Sequence, residues 1–266
     1  MSIFEQWWAP IELMINEKVP LSFTQNLYKE IYMNVIRDNR WQLYLNGLWV
    51  TLQVSIFAIL AGTLLGTILA VLRLPDVTEL KYRGKNPLKR FGMAVLHFFS
   101  WFAKFYIDLI RGTPLLLQVL IINFGIFGTI RIDKVIIGVI ACGLNSAAYV
   151  AEIVRGGIMS VDRGQTEAGR SLGFSGPSTM LYIILPQAAK SALPSLLNEF
   201  IALIKETSIL SYIALTELTK AGDYIRSRTY SAFTPYIISG LLYLLVTLIL
   251  TKLMGRLERR LRNSDR

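Results

Sequence analysis

From Leu48 to Leu72 the chain runs for twenty-five residues without a charge. As a helix rising ~1.5 Å per residue, this run is about 37 Å long, enough to cross a bilayer core of ~30 Å. A helix that is apolar on every side needs cover on every side in water and none in lipid, so the run points to a membrane-embedded helical fold. Further apolar stretches extend over Leu115–Ile130, Val135–Val154, Leu193–Leu215 and Phe233–Thr251. Phe91–Ile110 is also apolar but carries Lys104 and Asp108, and it runs into Arg111-Gly112-Thr113-Pro114; it reads as an interfacial entry helix ahead of the second span. The expectation is an all-α integral membrane protein with five transmembrane helices and its termini on opposite sides.

Composition agrees. With 53% hydrophobic residues in 266, the chain is too apolar to cover its surface with one soluble core. The formal charge of +10 does not form a stripe interleaved with stacking aromatics, as a nucleic-acid face would; the basic residues sit in the gaps between apolar runs. The segments after spans one, three and five hold Arg73, Lys81, Arg83, Lys85, Lys89 and Arg90, then Arg155, Arg163, Arg170 and Lys190, then Lys252, Arg256, Arg259, Arg260, Arg262 and Arg266. That is sixteen, against nine on the other side. The bias places the N-terminus outside and the C-terminus in the cytoplasm, in a multi-pass cell-membrane protein.

Three polar features interrupt the apolar runs. Pro114 cannot continue the backbone ladder of the preceding turn, so the Arg111–Pro114 segment should kink or restart the helix, with Arg111 available for the freed carbonyls. It either faces a cavity or simply marks the boundary between entry helix and span. On the third span Asn145, Tyr149 and Glu152 fall at i, i+4 and i+7, one polar stripe on an apolar helix. The stripe either lines a substrate path or, at Glu152, only pairs with Arg155. In the fourth span Lys205 and Glu206 would each cost ~2.5–3.5 kcal/mol to insert, so they must be paired or wet, or the helix breaks there with Thr207 and Ser208 tying down backbone. They are candidates for the substrate path, with a structural ion pair as the competing reading.

The first 46 residues lack the basic start and the uninterrupted apolar core of a cleaved signal peptide. Phe23, Leu27, Ile31 and Val35 recur every four residues, and Trp7, Trp8, Trp41 and Tyr44 suit headgroup depth, so an interfacial or extracytoplasmic segment is expected over 1–46. The single cysteine, Cys142, and the single histidine, His97, read as packing residues with no metal site around them. No phosphate-cradling G-x-x-x-x-G-K-[ST] loop and no Ser-His-Asp set occurs, which leaves little for nucleotide hydrolysis or intramembrane catalysis.

Between Thr166 and Pro186 lies a polar, glycine-punctuated loop, TEAGRSLGFSGPSTMLYIILP. Glu167 and Ala168, then Gly173, then Ile183, Leu185 and Pro186 resemble the cytoplasmic coupling loop of importer-type ATP-binding cassette permeases, with Gly169 where that family has a second alanine. Asn46-Gly47 with Thr51, Arg111-Gly112-Thr113-Pro114-Leu115, Ala148 to Gly157, and Lys205-Glu206-Thr207-Ser208 are similar to blocks of the polar amino-acid permeases. This resemblance covers Trp41 to Glu258, with a transmembrane domain over 47–254, the loop at about 162–190 and a basic tail over 255–266.

The resemblance implies a permease subunit, itself not an enzyme and without a cofactor of its own. Its partners would be a second permease subunit, cytoplasmic ATPase subunits that bind ATP and Mg, an extracytoplasmic substrate-binding protein and the lipid bilayer, with no nucleic acid. Glu167, Ala168, Gly169, Leu172, Gly173 and Phe174 would dock the ATPase. Physically, Glu167 should sit near a helix start, where a carboxylate suits the dipole. Gly169, ~1 kcal/mol worse than alanine in a helix interior, should leave that helix frayed until docked. Gly173 should allow a sharp turn, and Leu172 with Phe174 should offer an apolar knob. The alternative from another class is an ion-driven secondary transporter, which needs no such loop and would show related halves. A membrane enzyme would need a His, Asp or Cys cluster that the sequence lacks.

Overall fold

The structure, a computed structural model, describes residues 3–74 and 87–263. Lys81, Arg83, Lys85 and Arg266 of the charge count lie outside the described residues. All described regular elements are helical: α1 (Ile3–Asn16), α2 (Phe23–Ile31), α3 (Trp41–Leu72), α4 (Pro87–Arg111), α5 (Leu115–Leu120, extended by a π turn to Ile126), α6 (Lys134–Met159), α7 (Arg163–Ser171), α8 (Gly176–Thr179), α9 (Leu185–Glu206), α10 (Leu218–Thr229) and α11 (Thr234–Asn263). Five helical segments are long and apolar enough to cross a membrane: Trp41–Leu72, Arg90–Arg111, Lys134–Met159, Gly176–Ile213 and Thr234–Arg259.

The second of these differs from the expectation. The run after Pro114 stays helical only over Leu115–Ile126, about 18 Å, too short to cross alone. The entry helix is the longer piece, long and apolar enough to cross by itself, and its C-terminal part packs on α6: Tyr106 donates to the Leu144 carbonyl at 2.6 Å, while Ile107 packs with Ala147, Ala148 and Ala151 of α6. α5 takes up the other half of α6, with Gln118 against Asn145 and the Lys134 ammonium on Asn123. The backbone break opposite the middle of α6 lets the end of α4 and the start of α5 pack on neighbouring parts of that helix.

α3 and α6 form the most extensive contact of the bundle. Its basis is small residues: a Cβ on Gly66 would lie 2.7 Å from the Ala147 carbonyl oxygen and 2.8 Å from Val150 Cβ, so only glycine lets the backbones approach this closely. One core cluster includes Val54, Ala58, Val119, Ile137, Ala141, Leu203 and Leu210, with Cys142 buried among them as a packing residue. A smaller cluster of Leu74, Ile158, Ile184 and Ala188 sits at the opposite end of α6. α11 runs unbroken through the basic segment expected as a separate tail.

The N-terminal segment holds two helices rather than one. α2 opens on a capping box, in which Ser22 accepts from the Gln25 amide and Gln25 accepts from the Ser22 amide. Phe23, Leu27 and Ile31 point outward from it, 83%, 52% and 44% exposed, the face expected to meet the interface. α1 packs back on this segment, its Trp8 ring stacked on Tyr32 at 4.5 Å. The segment is fastened to the α10–α11 connection: the Glu30 carboxylate accepts from Ser231 (2.5 Å) and Thr234 (2.7 Å), and Asn34 accepts from Thr229 (2.9 Å). Burial pushes the Glu30 carboxyl up, but these hydroxyls and neighbouring Lys29 and Asn34 outweigh it and hold it below its usual value.

Candidate functional site

The loop after α6 is two short helices closed by a left-handed residue. Asp162 caps α7, accepting from the Gly164 amide at 2.6 Å; Glu167 lies mid-helix and exposed, so the dipole role expected for it belongs to Asp162. α7 ends in a Schellman arrangement, with Gly173 at φ +89°, its amide on the Arg170 carbonyl and the Phe174 amide on the Gly169 carbonyl, both at 3.1 Å. Ser175 then caps α8, accepting from Ser178, and Pro177 occupies the first turn.

Gly169 is buried, and a Cβ there would lie 2.8 Å from both Ile183 Cδ1 and Thr179 Cγ2. The expectation of a frayed first helix is therefore corrected: the glycine lets α7 pack closely on the second half of the loop. The pair presents exposed Leu172, Phe174, Leu181 and Tyr182, with Glu167 and Ala168 also at the surface. Its base is held by the Leu74–Ile158–Ile184–Ala188 cluster, so the loop is joined rigidly to the ends of α6 and α9.

Along α6 the polar stripe is closed off by pairing. Asn145, 4% exposed, donates to Gln118 Oε1 at 2.9 Å. The Gln118 amide in turn donates to the Ile110 and Thr113 carbonyls and to Thr113 Oγ1 at 2.8, 3.1 and 2.9 Å. Gln118, rather than Arg111, thus satisfies the carbonyls freed at the break; Arg111 lies over the Tyr149 ring, 5.6 Å from its centroid. Pro114 is extended (ψ 135°) and caps α5, so the helix restarts instead of bending, while Gly112 keeps its amide on Asp108. Glu152 bridges Arg73 and Arg155, both at 2.7 Å.

At the end of α9 the groups diverge. The α-helix stops at Glu206 and tightens into a 3₁₀ segment over Thr207–Ile213, with the buried Thr207 hydroxyl on the Ile204 carbonyl at 2.7 Å, the break expected from sequence. Lys205 opens into a polar cavity of ≈ 400 Å³ shared with Ser208, Thr219, Tyr236, Ser239 and Tyr243. A second cavity of ≈ 510 Å³ shares Ser208, Thr219 and Tyr236 with it and reaches Lys220 and Asp223. There Lys220 stands 3.0 Å from Asp223 and holds that carboxyl below its usual value. Glu206 turns away toward Glu199 and Cys142. Lys205 and the α6 stripe are therefore not brought together into one site.

Two carboxylates escaped the sequence reading. Glu199 bonds Ser146 on α6 at 2.8 Å; its spacing of seven from Glu206 puts both on one helix face, a signal that was available. Glu217 is fully buried as the cap of α10, taking the Thr219 and Lys220 amides at 2.7 Å and the Tyr243 hydroxyl at 2.8 Å. Burial pushes its carboxyl up. His97, expected as a packing residue, is exposed on α4. Among the described residues no group of three or more His, Cys, Asp or Glu side chains could hold a metal ion.

With this geometry in place, likeness to known proteins is informative. Residues 91–263 match the family described as the binding-protein-dependent transport system inner membrane component. The arginine transport system permease protein ArtQ of Bacillus subtilis is 35% identical over 223 residues, 83% of this chain and 93% of that protein. The glutamine transport system permease protein GlnP of Escherichia coli is 40% identical over 160 residues, 59% and 73% of the two chains. A crystal structure of an amino acid ABC transporter with histidines superposes with a TM-score of 0.69 at 41% identity, over 82% of this chain and 94% of that one. An inward-facing MetNI methionine ABC transporter reaches a TM-score of 0.68 at 17% identity, over 85% and 99%, which shows the shared fold.

Proposed function

The chain belongs to the binding-protein-dependent transport system inner membrane components, and on that premise we propose that it carries amino acids across the membrane as a permease subunit of an ATP-binding cassette importer. The secondary-transporter alternative finds no support among its relatives, which are permeases of arginine and glutamine systems. In this reading cytoplasmic ATPase subunits seat against α7 and α8, with Leu172 and Phe174 entering a groove of the ATPase, and ATP and Mg reside on that partner. A second permease subunit, identical or paralogous, completes the path, and an extracytoplasmic binding protein delivers the cargo. The N-terminus lies outside and the loop in the cytoplasm, as the basic residues favour.

The observation that carries the docking reading is the left-handed Gly173. It holds two exposed apolar side chains at the tip of a loop whose base is clamped to the ends of α6 and α9. Thrust on Leu172 and Phe174 then reaches the bundle with little loss. For cargo, Lys205 and the hydroxyl groups that share its cavity suit the carboxylate of an amino acid.

The test is replacement of Gly173 by glutamate. It should leave the chain inserted while abolishing co-purification of the ATPase and binding-protein-stimulated ATP hydrolysis. Wild-type uptake in that variant would remove the loop from the mechanism. In a Cys142→Ser background, a cysteine at Gly176 should react with an impermeant thiol reagent only in inverted vesicles, and one at Ser227 only from outside; labelling of Gly176 in intact cells would reverse the orientation.

A further inference from the structure

His97, Ser100, Trp101 and Lys104 fall at i, i+3, i+4 and i+7 on α4 and share one face. Together with Arg73 they line a cavity of ≈ 380 Å³. Arg73 is the first residue past the end of α3, and it ends the long uncharged run, so the cavity lies where lipid gives way to water. Trp101, whose ring suits headgroup depth, marks the same level.

The two walls differ in kind. One is cationic: Arg73 and Lys104 line the cavity, and behind Arg73 stand Arg155, on the same Glu152 carboxylate, and Arg111, over Tyr149. Glu152 is already shared between Arg73 and Arg155. Among the described residues Lys104 makes no ion pair or hydrogen bond. The other side is aromatic and faces outward: Trp101 lines the cavity and stacks on Phe105 with centroids 5.9 Å apart, and with Phe98 beside it the three rings are 61%, 51% and 59% exposed. A small soluble anion would satisfy the first wall and leave the second bare.

We propose that this cavity is a binding site for an anionic phospholipid, its phosphate between Arg73 and Lys104 and its acyl chains along Phe98, Trp101 and Phe105. The lipid neutralises the surplus cations and ties the end of α3 to α4 beside the Glu152 bridge. It follows from the membrane embedding of the chain and does not depend on which substrate is carried.

The full chain is reconstituted in phosphatidylcholine nanodiscs doped with acyl-brominated phosphatidylglycerol or acyl-brominated phosphatidylcholine. The Trp101 signal is isolated as wild type minus Trp101→Phe. Half-quenching should need an about fivefold lower mole fraction of the glycerol lipid than of the choline lipid, the effect of about one basic group. Lys104→Gln should abolish the difference, while Lys252→Gln, an exposed cation on α11, should keep it. Equal quenching by the two lipids in wild type overturns the proposal. So does an equal loss in Lys252→Gln, which would mean diffuse surface attraction, or relief of quenching by excess inorganic phosphate, which would mean a free-anion site.

Discussion

Along α6, Asn145 and Glu152 end in closed pairings, with Gln118 for the first and Arg73 and Arg155 for the second. At the end of α9, by contrast, Lys205 opens into a cleft with room to spare. The same sequence property, polar side chains inside apolar runs, thus takes two physical forms. In the first, Asn145, Gln118 and Glu152 each meet fixed partners, and the polarity fixes how α4, α5 and α6 meet at the chain break. In the second, an ammonium that makes no ion pair or hydrogen bond among the described residues stands beside hydroxyl groups, the arrangement a passing ligand can use and a rigid core cannot.

The contrast can be broken most forcefully at Glu152. Its removal strands two arginines, so Glu152→Ala should cost about 2–3 kcal/mol of bundle stability, short of the figure for a fully buried pair because the three side chains are 22–30% exposed. Denaturant unfolding of the purified chain measures it, and a cost below about 1 kcal/mol would make the bridge incidental. Gln118→Leu should come next at about 2 kcal/mol, since the Ile110 and Thr113 carbonyls lose their donor and Asn145 its acceptor. Adding Asn145→Leu should recover part of that loss. If Gln118→Leu instead unfolds like wild type and only impairs uptake, the network belongs to the path.

Lys205→Met should do the reverse, leaving stability within about 0.5 kcal/mol, as for most exposed substitutions. It should raise the half-saturating amino-acid concentration about tenfold in vesicle uptake, equivalent to one lost charge contact of about 1.4 kcal/mol. A folding defect with unchanged uptake kinetics would put Lys205 in the same class as Glu152.

The smallest effect lies at the N-terminal fastening. The folded Glu30 carboxyl sits below its usual value, so its contribution is fully present above the ordinary carboxylate range and is lost as the pH falls through the lowered folded value. Wild type should exceed Glu30→Gln by under about 1 kcal/mol at neutral pH. The gap should close on acidification below the ordinary carboxylate range, and a gap that widened there would invert the assignment.

Helix identity was legible where the signal was one-dimensional. Long apolar runs gave α3, α6 and α11, and the turn glycine at 173 announced the end of α7. What stayed hidden depended on partners far along the chain. That the Phe91–Ile110 segment packs along α6 is decided by Tyr106 meeting Leu144, thirty-eight residues away. Gly169 looks like a weak point until Thr179 and Ile183 are seen against it. Gln118 carries no charge and so drew no notice, although as an amide with donors and acceptor it can serve two carbonyls and an asparagine at once. Fold and loop geometry were therefore largely readable from local chemistry, while the sorting of polar groups into paired and open was not.

The close seam at Gly66 has a mechanical corollary. Where backbones meet with no side chain between them, sliding would drive the Ala147 carbonyl and Val150 into α3, so α3 and α6 can only swing together as a single spar. For a spar the length of α6, 26 residues or roughly 39 Å, a tilt of about 10° about its midpoint moves each end by about 3 Å. A displacement of that size is comparable to the width of one water molecule, so a modest rocking of one rigid beam is sufficient to wet or dry a passage beside it.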